Sequence, residues 1–253
     1  MTSRSAWDAK LKNRRDFLQA AGVAAAAVLV GNLPSAALAQ TGASGKMKIG
    51  TVGSGRVGSA IGRAWVKAGH EVMFSSLDLE ADRKLAASLG GGARAGTPRE
   101  AAAFGAVLLV SVPYAALPGL GRDLGDLIKG KVIIDTSNPI VGRDGDMAVA
   151  AREKGAGIAS MEYLPGARIV RAFNAIGAAR MAVAAGSSPR VGMPIAGDDP
   201  AAIGVASALV RDVGYEPVLV GTLATMGKYL IPGTPLAGER SPEEIRKVAA
   251  TLK

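Results

Sequence analysis

Met47-Lys48-Ile49-Gly50-Thr51-Val52-Gly53-Ser54-Gly55-Arg56-Val57-Gly58-Ser59-Ala60-Ile61-Gly62 is the stretch on which the fold turns. A short apolar run ends at Val52, three glycines follow in G-x-G-x-x-G spacing, and a helical pattern starts at once. Strand, tight turn and helix in that order make a cradle for a phosphate group. Gly53 permits the turn, Gly55 lets the backbone come close to a pyrophosphate, and Gly58 lets the helix pack on the strand. The helix N-terminus adds unpaired N–H groups and the positive end of a dipole. Ser54, Arg56 and Val57 fall inside this cradle. The chain holds 34 glycines, so the spacing alone is a weak signal. Its strand–turn–helix setting is what gives it weight.

Outward from this stretch, apolar runs alternate with helical patterns. Strands are expected at 48–52, 71–75, 93–95, 107–110, 132–135, 169–172, 191–195 and 217–220. Helices are expected at 54–68, 79–89, 98–104, 147–154, 177–184 and 200–213, with a helical stretch at 114–128 broken by Pro118 and Gly119. Val107-Leu108-Leu109-Val110 is apolar throughout, as a strand buried on both faces of a parallel sheet requires. This rhythm implies the α/β class and a doubly wound, mostly parallel sheet. Ligands of such sheets lie across the carboxyl ends of the strands. The segments to read for function are therefore 53–57, 75–78, 111–114, 136–139 and 173–176.

The N-terminus carries a second pattern. Arg14 and Arg15 precede Phe17-Leu18, an uncharged stretch runs from 20 to 33, and Ala37-Leu38-Ala39 follows. A charged region, an apolar region and a small-residue cleavage site make an export signal, and the paired arginines resemble the twin-arginine type. An ordinary secretion signal or an uncleaved anchor are the other readings. The apolar region is short and rich in Ala and Gly for a membrane span. Residues 1–39 are thus expected to be a twin-arginine signal peptide cleaved after Ala39. Residues 40–45 then form a flexible leader. Residues 46–253 form a single dinucleotide-binding domain with a C-terminal helical segment. The expected location is periplasmic, with no stable membrane span after processing.

Composition limits the chemistry. The whole chain has a formal charge of +9. Residues 1–39 hold five basic and two acidic residues, so the remainder carries +6. The basic residues are scattered without a long run, which argues against nucleic acid as a partner. There are no cysteines, hence no thiolate nucleophile, thiolate metal site or disulfide. A single histidine, His70, precludes a histidine-based metal site and leaves no Ser-His-Asp arrangement in view. His70 lies between the first helix and the second strand, at the end of the sheet away from ligands, and reads as structural. No acid–base constellation stands out and no catalytic side chain is assigned. Hydride transfer needs none, because the cofactor supplies the chemistry.

Several segments carry a resemblance: 49–62, Gly69-His70-Glu71-Val72, Ser111-Val112-Pro113, Asp135-Thr136-Ser137-Asn138-Pro139, Val170-Arg171-Ala172-Phe173-Asn174 and Tyr229-Leu230-Ile231-Pro232-Gly233-Thr234-Pro235-Leu236. The chain resembles the NADP-dependent oxidoreductase family that includes the NADPH:coenzyme F420 (deazaflavin) reductases. The same cofactor-binding Rossmann fold recurs in pyrroline-carboxylate reductases and in the cytosolic domain of metalloreductases. The resemblance implies an NAD(P)-dependent enzyme passing hydride between NADP(H) and a flavin- or deazaflavin-like acceptor. It leaves room for a homodimer. A dinucleotide sensor, or a non-catalytic partner of a periplasmic redox protein, is the alternative. The resemblance puts Val112, Pro113, Phe173 and Asn174 around the nicotinamide and its ribose, with Asn138 and Pro139 beside them. Phe173 is equally read as core packing, and Asn138 before Pro139 as a turn.

At the tip of the second strand the sequence departs from the family. Relatives often carry Ser-Arg there, with the arginine on a 2′-phosphate, whereas this chain has Ser75-Ser76-Leu77-Asp78. Asp78 stands about where an NAD-type acid binds ribose hydroxyls, but a few residues past the strand tip. Ser75 and Ser76 are candidate donors to a 2′-phosphate, with Arg83 or Lys84 as helpers unless these only solvate a helix face. The resemblance favours NADP, and NAD stays open.

Overall fold

The computed structural model describes residues 45–184 and 187–252. The expected signal peptide and nearly all of the leader lie outside them. Eight strands form one sheet in the order β3-β2-β1-β4-β5-β6-β7-β8. They are β1 (Lys48–Val52), β2 (Glu71–Ser75), β3 (Ala93–Ala95), β4 (Val107–Val110), β5 (Val132–Asp135), β6 (Arg168–Arg171), β7 (Gly192–Gly197) and β8 (Glu216–Gly221). Neighbours pair in parallel except β6 and β7, so the last two strands run opposite to the first six. β4 and β5 are buried at every position, as strands covered on both faces must be.

Helices cover both faces: α1 (Arg56–Lys67), α2 (Leu79–Leu89), α3 (Pro98–Phe104), α4 (Leu117–Ile128), α5 (Val141–Asp144), α6 (Asp146–Lys154), α7 (Ala156–Tyr163), α8 (Ala178–Ala184), α9 (Pro200–Val213), α10 (Leu223–Met226) and α11 (Pro242–Thr251). One core gathers Ile49, Ile61, Trp65, Phe74, Phe173 and Leu209; the other gathers Leu108, Tyr114, Leu124, Ile133 and Leu164 across the sheet. Trp65 fixes α1 to α9 by donating its indole N–H to the Leu209 carbonyl (2.8 Å). His70 is buried just past the same C-terminal end of α1 and adds a second tie to α9. Its Nδ1 accepts from the Met47 amide (3.2 Å), and its Nε2 donates to Asp212, 3.0 Å away. The lone histidine is thus a structural tie.

Local chemistry sets the helix ends. Thr97 and Glu100 form a capping box that opens α3. The stretch 114–128 is not broken where expected. A single 3₁₀ turn, Tyr114–Ala116, leads directly into α4. Pro118 falls in the first turn of α4, where its missing N–H costs nothing. Helix α1 begins two residues later than expected, because Ser54 and Gly55 belong to the loop. Helices α5, α7 and α10 carry no clear period of their own and were not foreseen.

Asp199 caps α9 by accepting from the Ala202 amide (2.9 Å), and it takes both Nε and an Nη of Arg168 at 2.8 Å. The Arg168 hydrogen bonds, then the Ala202 amide, hold its carboxyl far below the usual carboxylate range. A depressed acid stabilises the fold above the pKa of the unfolded chain, about 3.9, and loses that contribution as pH falls. Replacing Asp199 with Ala is expected to cost about 1 kcal/mol at pH 7, as losing an N-cap does. Urea unfolding of both proteins at pH 7 and pH 3 checks this: the gap should shrink in acid.

Candidate functional site

The strand order reverses between β1 and β4. The Gly53 loop leaves β1 there and lies against the Ser111 segment leaving β4. A Cβ on Gly53, whose φ is +96°, would collide with the Ser111 carbonyl. A Cβ on Gly58 would run into the Gly53 carbonyl. Both glycines are therefore demanded by the fold. Gly55 is different. Its φ of −66° suits any residue, and a Cβ there would meet nothing within 4 Å. The fold leaves open space over Gly55, as an approaching pyrophosphate requires.

Gly55 is also the N-cap of α1, and no side chain caps that helix. The amides of Gly53 and Ser54 both donate to the Ser75 carbonyl (2.9 and 3.0 Å), which braces the loop against β2. The amides at the start of α1, at Arg56 and Val57, are the ones presented to an anion. Arg56 is exposed and has no acidic partner within 4 Å among the described residues.

At the tip of β2 the hydroxyls are already engaged. Ser75 is buried and donates to the Thr51 carbonyl (2.8 Å). Ser76 donates to Asp82 (2.8 Å), and Ser54 donates to the other oxygen of the same carboxylate. Asp78 caps α2, its Oδ1 accepting from the Ala81 amide (2.9 Å). Arg83 is paired with Glu80. Asp82 was not singled out in the sequence; its neighbours Arg83 and Lys84 drew attention because they are cations.

The other half of the site lies past β4, β5 and β6. Val112 is half-buried and Pro113 exposed, at the mouth. Asn138 Nδ2 donates to the Asn174 carbonyl (3.1 Å), which joins the two loops. Pro139 is buried and its carbonyl accepts from Arg152 (2.8 Å). Phe173 resolves toward the core: its ring stands edge-on to Trp65 and Tyr215, at 6.4 and 6.3 Å between centroids. Its φ of +64° makes it the non-glycine residue held left-handed in the described chain, a strain that clusters at functional sites. That leaves the Phe173 backbone, rather than its ring, for a ligand. The buried atoms Ser137 Oγ and Asn174 Oδ1 have no hydrogen-bond partner among the described residues. Polar groups so placed fit the amide and ribose of a nicotinamide nucleotide.

Beneath these loops sits a buried ion pair. Asp135 and Arg171 face each other in the β5–β6 register, both fully buried, with Nη1 and Oδ2 2.6 Å apart. Arg171 Nη2 reaches the Ser137 carbonyl (3.0 Å), Asn138 Oδ1 (3.3 Å) and the Leu230 carbonyl (3.2 Å). Ser160 donates to Asp135 (2.8 Å), and Asp135 also accepts from the Ser137 amide (2.8 Å). The Tyr114 hydroxyl donates to the Ala156 carbonyl (2.7 Å), and burial pushes its phenol well above the usual value. It is a fixed neutral donor, not an acid or base at neutral pH. One signal was available in the sequence: opposite charges end two adjacent apolar strands.

A doubly wound sheet, a glycine loop and an uncapped helix N-terminus at the switch point define a Rossmann-type fold with a candidate nucleotide site. Residues 48–139, from β1 through the Asn138-Pro139 turn, match the family described as NADP oxidoreductase, coenzyme F420-dependent. That match covers little more than a third of the chain. Residues 13–31 match the twin-arginine translocation pathway signal sequence. No curated protein matches the sequence. Among solved structures the chain is similar to a hypothetical protein of Sinorhizobium meliloti (23% identity, TM-score 0.68, covering 78% of this chain and 96% of that one). It is also similar to an Arthrobacter sp. FB24 protein assigned as an F420-dependent NADP reductase (19%, TM-score 0.57, 73% and 90%). A pyrroline-5-carboxylate reductase of Coxiella burnetii aligns at 16% identity and TM-score 0.51, covering 69% of this chain and 60% of that one. At these identities the likeness is one of fold. Among the described residues no helix is long and apolar enough to cross a membrane.

Proposed function

We propose that this protein binds a nicotinamide dinucleotide over Gly53, Ser54, Gly55, Arg56 and Val57 and passes hydride between it and a flat, conjugated acceptor of the flavin or deazaflavin kind. The observation that carries the reading is the open space over Gly55 beside an uncapped α1. The cofactor, when bound, supplies the hydride chemistry. The chain's own task is to bind, orient and exclude water. The α1 amides and Arg56 take the pyrophosphate, and the Asn138–Asn174 bridge holds the nicotinamide end. Purified protein should change NADH or NADPH fluorescence and should speed reduction of free flavin or deazaflavin. No binding of either dinucleotide at millimolar concentration sinks the reading.

The export signal adds a condition. A twin-arginine route moves a folded chain, so the nucleotide can travel inside it into the periplasm. Changing Arg14 and Arg15 to Lys keeps the charge but removes the receptor-read address. The precursor should then accumulate, and the form cleaved after Ala39 should vanish from the periplasmic fraction. Normal export of the Lys-Lys protein points to the general route, which delivers an unfolded, empty chain.

A further inference from the structure

We propose that the corner between β2 and α2 takes NAD(H) in preference to NADP(H), with Asp82 as the specificity-determining residue. The inference rests on the dinucleotide reading above. It departs from the cofactor of the matched family on the strength of this chain's own side chains.

Asp82 is 2% exposed, and no cation lies within 4 Å of it among the described residues. A buried carboxylate without a cation is costly. The N-terminal end of α2 and two serine hydroxyls offset part of that cost. Those hydroxyls are Ser54, from the glycine loop, and Ser76, from the tip of β2, one on each carboxylate oxygen. They flank the place where the adenosine ribose of a dinucleotide lies in this fold.

Each serine has a single proton. Both protons point inward to Asp82, and that of Ser75 goes to the Thr51 carbonyl. The corner therefore offers no free hydroxyl proton in front of a negative charge, and the Ser76 oxygen also accepts from the Asp78 amide (3.1 Å). A 2′-phosphate brings only acceptors and negative charge of its own, so it gains no donor here and is repelled. The 2′- and 3′-hydroxyls of an unphosphorylated ribose are donors and fit the same surface. The nearby cations do not reverse this. Position 77 is a fully exposed Leu, Arg83 is tied to Glu80, and Lys84 lies further along the exposed side of α2.

Titration of the purified protein with NADH and NADPH, read by nucleotide fluorescence, tests the idea. NADH is expected to bind at least about tenfold more tightly, the scale on which an unmatched charge discriminates. Asp82→Asn removes the charge and supplies an N–H donor, so it should bring the two affinities to within about threefold. Leu77→Arg, at an exposed position, should raise NADPH affinity and leave NADH affinity nearly unchanged. NADPH binding as tightly as NADH to the unaltered protein overturns the inference and leaves the oxidoreductase reading standing. An unchanged preference in Asp82→Asn removes Asp82 from the role. If neither nucleotide binds, both readings fall. The ratio on the unaltered protein decides the matter even where Asp82→Asn does not fold.

Discussion

Gly55→Val should abolish dinucleotide binding while the protein keeps its fold and its melting temperature. The glycine's φ of −66° is open to valine, and its Cβ direction points into empty space. Nothing in the apo fold resists the change. The branched side chain would, however, stand where the pyrophosphate meets the α1 amides. Losing that approach is expected to weaken binding by about a hundredfold or more, close to 3 kcal/mol. Gly53→Ala and Gly58→Ala make the control. The first forces a side chain into a left-handed backbone and against Ser111, the second drives a methyl into the Gly53 carbonyl. Each should lower stability by about 1–3 kcal/mol or more through overpacking. Calorimetric titration and thermal melts separate the two outcomes. Wild-type affinity in Gly55→Val removes the basis of the functional reading.

The contrast among the three glycines shows how far the sequence can be read. Spacing and setting announced the strand, tight turn and helix at 48–67, and the apolar runs announced every strand of the sheet to within about two residues. Those signals are local, so the sequence displays them. What a serine proton does is not local. Ser75 and Ser76 looked like phosphate donors because they stand at a strand tip. Their partners are the Thr51 carbonyl in the neighbouring strand β1 and Asp82 one turn into α2, and which way each proton turns depends on how those elements pack. Phe173 was ambiguous for the same reason, since only Trp65 and Tyr215 decide that its ring belongs to the core. The break expected at Pro118 failed on position rather than on type, because a proline in a first turn starts a helix.

Arg171→Met should be the most destabilising single change beneath the site, by about 3–5 kcal/mol. It strands Asp135, which is fully buried and has no other cation within 4 Å among the described residues. The cost of the variant is therefore mostly the cost of an uncompensated charge, not the worth of the pair. A double variant with Asp135→Asn should recover much of the loss, because the neutral amide can still accept from the Ser137 amide. Chemical unfolding of the wild type, both single variants and the double variant measures this coupling directly. Recovery of stability should not bring recovery of activity. Arg171 also holds the carbonyls of Ser137 and Leu230 and the side chain of Asn138, through a planar fork that methionine cannot replace. The double variant should fold and bind the adenosine half of the cofactor, yet transfer hydride more slowly because the nicotinamide-side loops are loose. Full activity in the stable double variant would show that the ion pair serves the fold alone.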